Sequence, residues 1–316
     1  MLNIIRPNQK GTMVMMKKRM KPSQIRLLAM TLPFVLFIFL FSYVPLFGWV
    51  TAFFDYHPGV PLSKVPFVGL KYFKMALNFK AGSNLGVALR NTFVYSFIGL
   101  ATSPLPVIYA ICLNEMSNKY FKKTIQTITT LPNFISWILV YAISFATFSI
   151  DDGFVNQLLT KMGFQPISPM TTNSATYLFQ TLWGTWKGLG FNAIIYLAAI
   201  GSIDVELFDA AEIDGAGRLQ KILHVTVPQM APTYIVLLLL SVSNILSAGF
   251  DQQIAFWNNA VANRLEVFDT YIYHMGIGSN MYSYGTAMGI FKTIVSVTLL
   301  FGVNWLSKKF RGDPII

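Results

Sequence analysis

Long intervals without a charged side chain constrain this sequence more than any other feature. Charge-free runs cover residues 27–54, 91–114, 124–150, 162–186, 222–250 and 270–291, and two shorter ones follow Lys187 and Lys292. A charge at the centre of a bilayer costs about 2.5–3.5 kcal/mol on insertion scales, so such runs mark where a chain can enter lipid. One helical crossing takes about 20 apolar residues. The runs predict spans near 27–52, 89–113, 125–149, 176–200, 231–250 and 286–306. The expected fold class is therefore an all-α polytopic membrane protein with six transmembrane helices and both termini on one side. Composition agrees: 54% of the 316 residues are hydrophobic and 12% charged, with a mean hydropathy of +0.52. Soluble domains carry about 25% charged residues, so there is too little polar surface here to cover a globule in water.

Lys and Arg orient such a chain, because they concentrate in cytoplasmic segments. Arg6, Lys10, Lys17, Lys18, Arg19, Lys21 and Arg26 precede the first span; Lys119, Lys122 and Lys123 follow the second; Lys308, Lys309 and Arg311 end the chain. Lys64, Lys71, Lys74 and Lys80 lie in the first loop of the opposite side, whose other two loops hold only Lys161 and Arg264. Both termini are expected in the cytoplasm. The organisation predicted is a basic N-terminal segment at 1–26, a transmembrane domain at 27–306 with a long cytoplasmic loop at about 201–230, and a C-terminal tail at 307–316. Leu46-Phe47-Gly48-Trp49 makes a poor cleavage site, so the first run is expected to remain a membrane helix. The net charge of +11 reads as membrane anchoring rather than nucleic-acid binding. Cys112, in an apolar run, excludes a disulfide framework within the chain and is expected to serve as a small core hydrophobe. Pro33, Pro45, Pro104, Pro106 and Pro132 remove backbone donors within or beside the spans, as hinges around a pathway or as ordinary membrane-helix irregularity.

The loop between the fourth and fifth spans carries the sharpest local signal. Asp204, Glu206, Asp209, Glu212 and Asp214 are five of the chain's thirteen carboxylates within eleven residues. Asp204 can cap a helix whose N-terminal end favours the acids that follow. Gly215 and Gly217 permit a sharp left-handed turn, and Leu219, Ile222 and Leu223 then recur at helical spacing up to Pro228, expected to end the second helix. A helix–turn–helix knuckle of this kind suits docking into a groove on another protein, where the plain alternative is a solvated loop.

Asp209-Ala210-Ala211, then Asp214-Gly215-Ala216 and Val227-Pro228, resemble the EAA loop of permease subunits of type I ABC importers, with Asp209 where the family usually has Glu. That departure keeps the charge and shortens the reach. The resemblance implies that the loop inserts as a coupling helix into a separate nucleotide-binding subunit, through Glu206, Asp209, Ala210, Ala211, Glu212, Asp214, Gly215, Ala216 and Arg218. It extends over most of residues 67–309. Phe67-Val-Gly69-Leu-Lys71, Ala88-Leu-Arg90-Asn91-Thr92, Leu113-Asn114-Glu115, Leu131-Pro132-Asn-Phe-Ile135-Ser-Trp137, Trp186-Lys187-Gly188 and Gly249-Phe-Asp251-Gln252 look like polysaccharide-importer permeases of the LplB type, in the carbohydrate branch that includes MalF. The partners so implied are a second, similar permease, two ATP-binding subunits, an extracytoplasmic solute-binding protein, an oligosaccharide substrate and membrane lipid. No P-loop, H-E-x-x-H, C-x-x-C or G-x-S-x-G pattern occurs, and His57, His224 and His274 are dispersed. No catalytic residue, metal site or bound cofactor is expected on this chain; ATP and Mg belong to the partner ATPase. Permeation of another small solute and ion-coupled secondary transport are the alternatives.

A sugar passage needs hydrogen-bonding groups and aromatic faces. Trp183, Trp186, Lys187, Asn192 and Tyr196 of the fourth span and Ser243, Asn244, Ser247 and Asp251 of the fifth are the candidates, with packing against a partner permease as the alternative. Trp183 and Lys187 share a helix face that Tyr196 does not. An unpaired Lys in lipid is costly, so Lys187 should face a cavity, where it would pair with a uronate, or meet a buried acid or a carbonyl. Arg90 and Lys292 are expected to snorkel. Asp151, Asp152, Trp257, Tyr271, Tyr273, Tyr282 and Tyr284 suggest a docking surface for the binding protein or an interfacial aromatic belt.

Overall fold

A computed structural model describes residues 4–7, 13–16, 21–78 and 83–311. Lys10, Lys17, Lys18, Arg19, Lys80 and residues 312–316 lie outside the described residues. Residues 1–51 and 52–316 form two units.

The first unit opens with a short antiparallel hairpin, β1 (Ile4–Pro7) and β2 (Met13–Met16), an element not expected in the basic N-terminal segment. Helix α1 (Pro22–Ile38) begins on a proline, whose missing N–H costs nothing in a first helical turn. It continues through a π segment at Phe39–Tyr43 into a 3-10 segment at Val44–Phe53. Pro45 follows the widened turn directly. A proline within a helix cannot bond the carbonyl four residues back, and a π turn takes up that register mismatch.

Among the described residues the second unit's regular elements are helices, with one isolated antiparallel bridge between Phe54 and Phe67. Its main elements are α2 (Lys71–Leu77), α3 (Asn84–Thr102), α4 (Pro104–Asn114), α5 (Lys119–Thr130), α6 (Trp137–Phe148), α7 (Phe154–Lys161) and α8 (Thr176–Gly201). Then come α9 (Val205–Ile213), α10 (Arg218–Lys221), α11 (Val227–Ser243), α12 (Phe250–Ala255), α13 (Ala262–Leu265), α14 (Phe268–Tyr273) and α15 (Tyr282–Arg311). Among the described residues, four helical stretches are long and apolar enough to cross a membrane: 26–53, 84–114, 218–243 and 282–305. Two bent pairs, α5–α6 and α8–α9, bring the number of spans to six if each is counted as one.

Three sequence expectations change. The third span is not one helix over 125–149: α5 and α6 meet at 104° through a 3-10 turn at Leu131–Phe134. Pro132 and extended Ile135 stop the first helix, and Ser136, whose Oγ accepts from Leu139 N at 3.4 Å, caps the second. The fifth span starts earlier and ends at Ser243 rather than 250, because residues 244–249 leave the helix before left-handed Gly249 (φ +74°) opens α12. Nor does Pro228 end a helix. A π segment at Ile222–Thr226 carries α10 into α11, with Pro228 in its first turn.

Packing in lipid cannot rely on hydrophobic driving force between helices, so small residues that permit close approach matter most. Ala110 of α4 and Ala193 of α8 are fully buried against each other's helices together with Tyr196, Ile200 and Met230. Gly190 of α8 lies so near α5 that an added Cβ would stand 2.3 Å from the Thr129 carbonyl oxygen. A second cluster joins α6, α8, α12 and α13 through Val140, Phe179, Phe256 and Leu265. A third joins α2, α3, α14 and α15, and it buries Tyr271 and Tyr284 with their hydroxyls 3.0 Å apart. Those two tyrosines are therefore core, not docking surface. Tyr273 stays exposed, and Trp257 rests edge-on against His274 at 4.4 Å. Cys112, expected in the core, is exposed on α4.

Candidate functional site

The acidic loop folds as its residue order suggests. Asp204 caps α9 by accepting from Glu206 N at 3.0 Å, with Glu206 in the first turn where the helix dipole favours it. The helix ends in a Schellman motif: Gly215 N bonds Glu212 O at 3.0 Å, Ala216 N reaches back to Ala211 O at 2.9 Å, and Gly215 sits at φ +76°. A Cβ is disfavoured in that left-handed geometry, which gives the Asp214-Gly215-Ala216 order its physical reason. Gly217, by contrast, is extended (φ −68°, ψ 169°) rather than left-handed, and its N–H donates to Gln220 Oε1 at 2.7 Å as α10 begins.

Two ion pairs brace this turn. Lys221 Nζ lies 2.6 Å from Glu212 Oε2. The hydrogen bond from Lys221, and then its charge, hold the Glu212 carboxyl below the usual carboxylate range. Arg218 donates through Nε to the Glu115 carboxylate and through Nη2 to the Glu115 backbone oxygen. Glu115 is the C-terminal cap of α4, so Arg218 ties the turn to the end of the second span. His224 makes a polar contact, with Nδ1 3.0 Å from Gln220 O. Asp209 and Ala210 are exposed, Ala211 half-buried, and Ile213 is 87% exposed at the end of α9.

A cavity of about 780 Å³ opens between α3, α4, α8, α11, the 244–249 segment and α12. Of the sequence candidates, Asn192, Tyr196, Asn244 and Ser247 line it. Trp183, Trp186, Lys187, Ser243 and Asp251 do not. Trp183 packs edge-on against Trp186 at 5.3 Å and against Phe179 at 6.2 Å. Buried Ser243 Oγ bonds Leu239 O at 3.2 Å, and Asp251 is exposed in the first turn of α12. The polar stripe 243–251 is split because the helix carrying it stops at Ser243.

Lys187 goes to the carbonyl alternative and not to a uronate. Its side chain is buried, Nζ donates to Asn133 O at 2.7 Å and Pro132 O at 3.4 Å, and it lies 5.4 Å above the Trp137 ring. Pro132 O already accepts from Ile135 N at 3.2 Å, and Lys187 adds a charged donor to it and to Asn133 O at the break. Arg90 and Lys292 also depart from snorkelling. Lys292 sits within α15, 2.5 Å from Asp269 Oδ1, and Arg90 Nη2 donates to Asn263 O at 3.1 Å.

Sequence reasoning missed Tyr95, Ser96, Gln180, Ser241, Gln252 and Gln253, which also face the cavity. Gln252 Nε2 donates to Gln180 O and Oε1 at 2.7 and 2.8 Å, and Ser96 Oγ clamps Ile245 O at 2.6 Å. The Gly249-Phe-Asp251-Gln252 segment was the available signal; the α3 residues had none, being two polar groups in an apolar run. Among the described residues, none that lines the cavity is charged. The wall offers amides, hydroxyls and aromatic faces.

This architecture is that of a membrane permease. Residues 103–312 match the family of binding-protein-dependent transport system inner membrane components, and the chain belongs to that family. It is 36% identical over 285 residues to protein LplB of Bacillus subtilis (strain 168), covering 90% of this chain and 89% of that protein. It is 36% identical over 290 residues to the polygalacturonan/rhamnogalacturonan transport system permease protein YteP of the same organism, covering 90% and 88%. A chain in the crystal structure of a bacterial alginate ABC transporter, in complex with alginate pentasaccharide-bound periplasmic protein, superposes with a TM-score of 0.82 at 30% identity, covering 92% of this chain and 97% of that one. The chain is thus a multi-pass ABC-transporter permease of the type I fold, a transport subunit and not an enzyme, and the likeness read in its sequence is borne out.

Proposed function

We propose that this chain is one of two permease subunits in an ATP-driven importer of oligosaccharides, acidic ones among them. The cargo class is supported by the pectic polymers in the name of one similar permease and by the acidic polysaccharide alginate carried by the similar transporter of known structure. The observation that carries the reading is the braced α9–α10 element. It presents Asp209, Ala210 and an almost wholly exposed Ile213 on a fixed turn, a surface that needs a partner groove. Glu206, Glu212, Asp214, Gly215, Ala216 and Arg218 shape that element. ATP and Mg are held by two separate ATPase subunits, each receiving one such loop from one permease.

Cargo handed over by an extracytoplasmic binding protein passes the polar cavity, with Asn192, Tyr196, Asn244 and Ser247 as its contacts here. Closure of the ATPase pair rocks the helices through α9–α10 and alternates access. Both termini lie in the cytoplasm, with 1–26 and 307–316 as cytoplasmic extensions of a domain at 27–306. Purification in mild detergent tests this: a second permease and an ATPase should co-purify, and glycan-loaded binding protein should stimulate ATP hydrolysis. A lone chain without ATPase activity, or uptake that persists on ATP depletion with ion gradients clamped, would favour secondary transport.

A further inference from the structure

Several cations of the helical unit are held by an acid or by carbonyls. Lys221 faces Glu212, Arg218 faces Glu115, Lys292 faces Asp269, and Lys187 is bound to carbonyls. Arg90 and Arg264 have no carboxylate within 4.0 Å among the described residues, and Arg90 is held by neutral oxygens, with Nε and Nη2 on Asn91 Oδ1 at 3.3 and 3.1 Å and Nη2 on Asn263 O at 3.1 Å. Yet both are held on one frame. Arg90 Nη2 donates to Asn91 Oδ1 at 3.1 Å, Tyr177 OH donates to the same oxygen at 2.6 Å, and Arg264 Nη1 donates to Tyr177 OH at 3.2 Å. Three consecutive hydrogen bonds therefore join two guanidinium groups. Asn91, at their centre, is fully buried and pinned to Asn263 O and Glu266 O at 2.9 and 2.7 Å.

Two like charges fixed together without a counter-charge create a site for an anion. Glu266, two residues from Arg264, does not supply it, because its carboxylate is engaged by His274 at 3.2 Å and Thr270 at 3.1 Å. Arg264 Nε is buried with no hydrogen-bond partner. The frame also reaches the passage. The Tyr177 ring, under the Arg264 guanidinium at 5.0 Å, meets Tyr95 edge-on at 5.1 Å, and Tyr95 lines the cavity. Beside it, the Tyr95 hydroxyl and the Gln253 side chain are buried next to each other.

We infer that Arg90 and Arg264 form a carboxylate-reading station beside the passage, which takes a uronate group of an acidic oligosaccharide. Arginine suits this role: its planar fork binds a carboxylate through two parallel hydrogen bonds and stays charged at any working pH. The inference rests on the importer reading above. It assigns recognition of acidity to these two side chains and leaves the wall of the cavity to neutral contacts.

The test uses the whole complex in proteoliposomes, with trigalacturonate and its neutral methyl ester as cargo and the binding protein's loading with each verified beforehand. Arg90→Gln and Arg264→Gln should each lower uptake of the acid about tenfold, the effect of losing one charge-assisted contact, and leave the ester unchanged. Arg264→Lys should recover part of the loss. Equal loss of both cargoes, as expected if the network only holds residues 262–266 against α3, or no loss of either, would overturn the site while the importer reading stands. A wild-type complex that moves neither cargo would sink the importer reading itself.

Discussion

Replacing Lys187 with Met separates a structural lysine from a substrate-binding one. Methionine keeps most of the volume and removes the charge, so the perturbation is the loss of one strong hydrogen bond to Asn133 O at 2.7 Å, a weaker one to Pro132 O at 3.4 Å, and the contact with Trp137. A hydrogen bond to a charged group is worth about 1.5–3 kcal/mol net, and a cation over an aromatic face adds about 0.5–2 kcal/mol. Relief of the cost of burying the cation offsets part of this. The net expectation is a destabilisation of about 2–3 kcal/mol, roughly 30- to 150-fold in the folded-to-unfolded ratio. The assay is the unfolding midpoint of the detergent-purified complex, paired with uptake of trigalacturonate and its methyl ester. The midpoint should fall, and the uptake ratio of the two cargoes should not move. An unchanged midpoint with selective loss of the acidic cargo would refute the carbonyl-clamp reasoning and return Lys187 to the passage.

Gly190→Ala drives a Cβ into the Thr129 backbone and must separate α5 from α8, which predicts about 1–3 kcal/mol of lost stability by the same unfolding measurement. Gly215→Ala forces a side chain into the left-handed turn at a cost of about 1–2 kcal/mol, so uptake should fall, with Gly215→Asn retaining more than Ala because Asn tolerates that backbone region. Arg218→Met cuts the tie to Glu115 and should lower uptake per ATP hydrolysed while the complex still assembles, as read by ATPase and transport rates on the same preparation.

Much of the fold was legible because charge is expensive in lipid: the span predicted at 176–200 is α8 at 176–201 to within a residue. The loop was legible as well, since Asp204, Gly215 and the carboxylates between them each have a local backbone reason to stand where they do. The break in the third span was half-visible. Pro132 announced it, but the unbroken charge-free run from 124 to 150 concealed a 104° bend braced by Lys187, more than fifty residues away in sequence. The π segments at Phe39–Tyr43 and Ile222–Thr226 depend on how a helix accommodates Pro45 or Pro228, which residue identity does not dictate. The cavity was least legible. In a membrane helix the lipid-facing and core-facing sides are equally apolar, so periodicity does not single out Tyr95, Ser96 or Gln180. Trp183 and Trp186 read as pathway residues in the sequence because an indole serves packing and sugar contact alike.

The central claim is that the turn between α9 and α10 hands the force of ATP hydrolysis to this chain. A photo-crosslinking residue at position 213, in place of the exposed Ile213, tests it directly in the intact complex. The account predicts a crosslink to a co-purifying ATPase subunit, with a yield that changes on adding ATP. An ATPase that co-purifies yet never crosslinks from this position would contradict it.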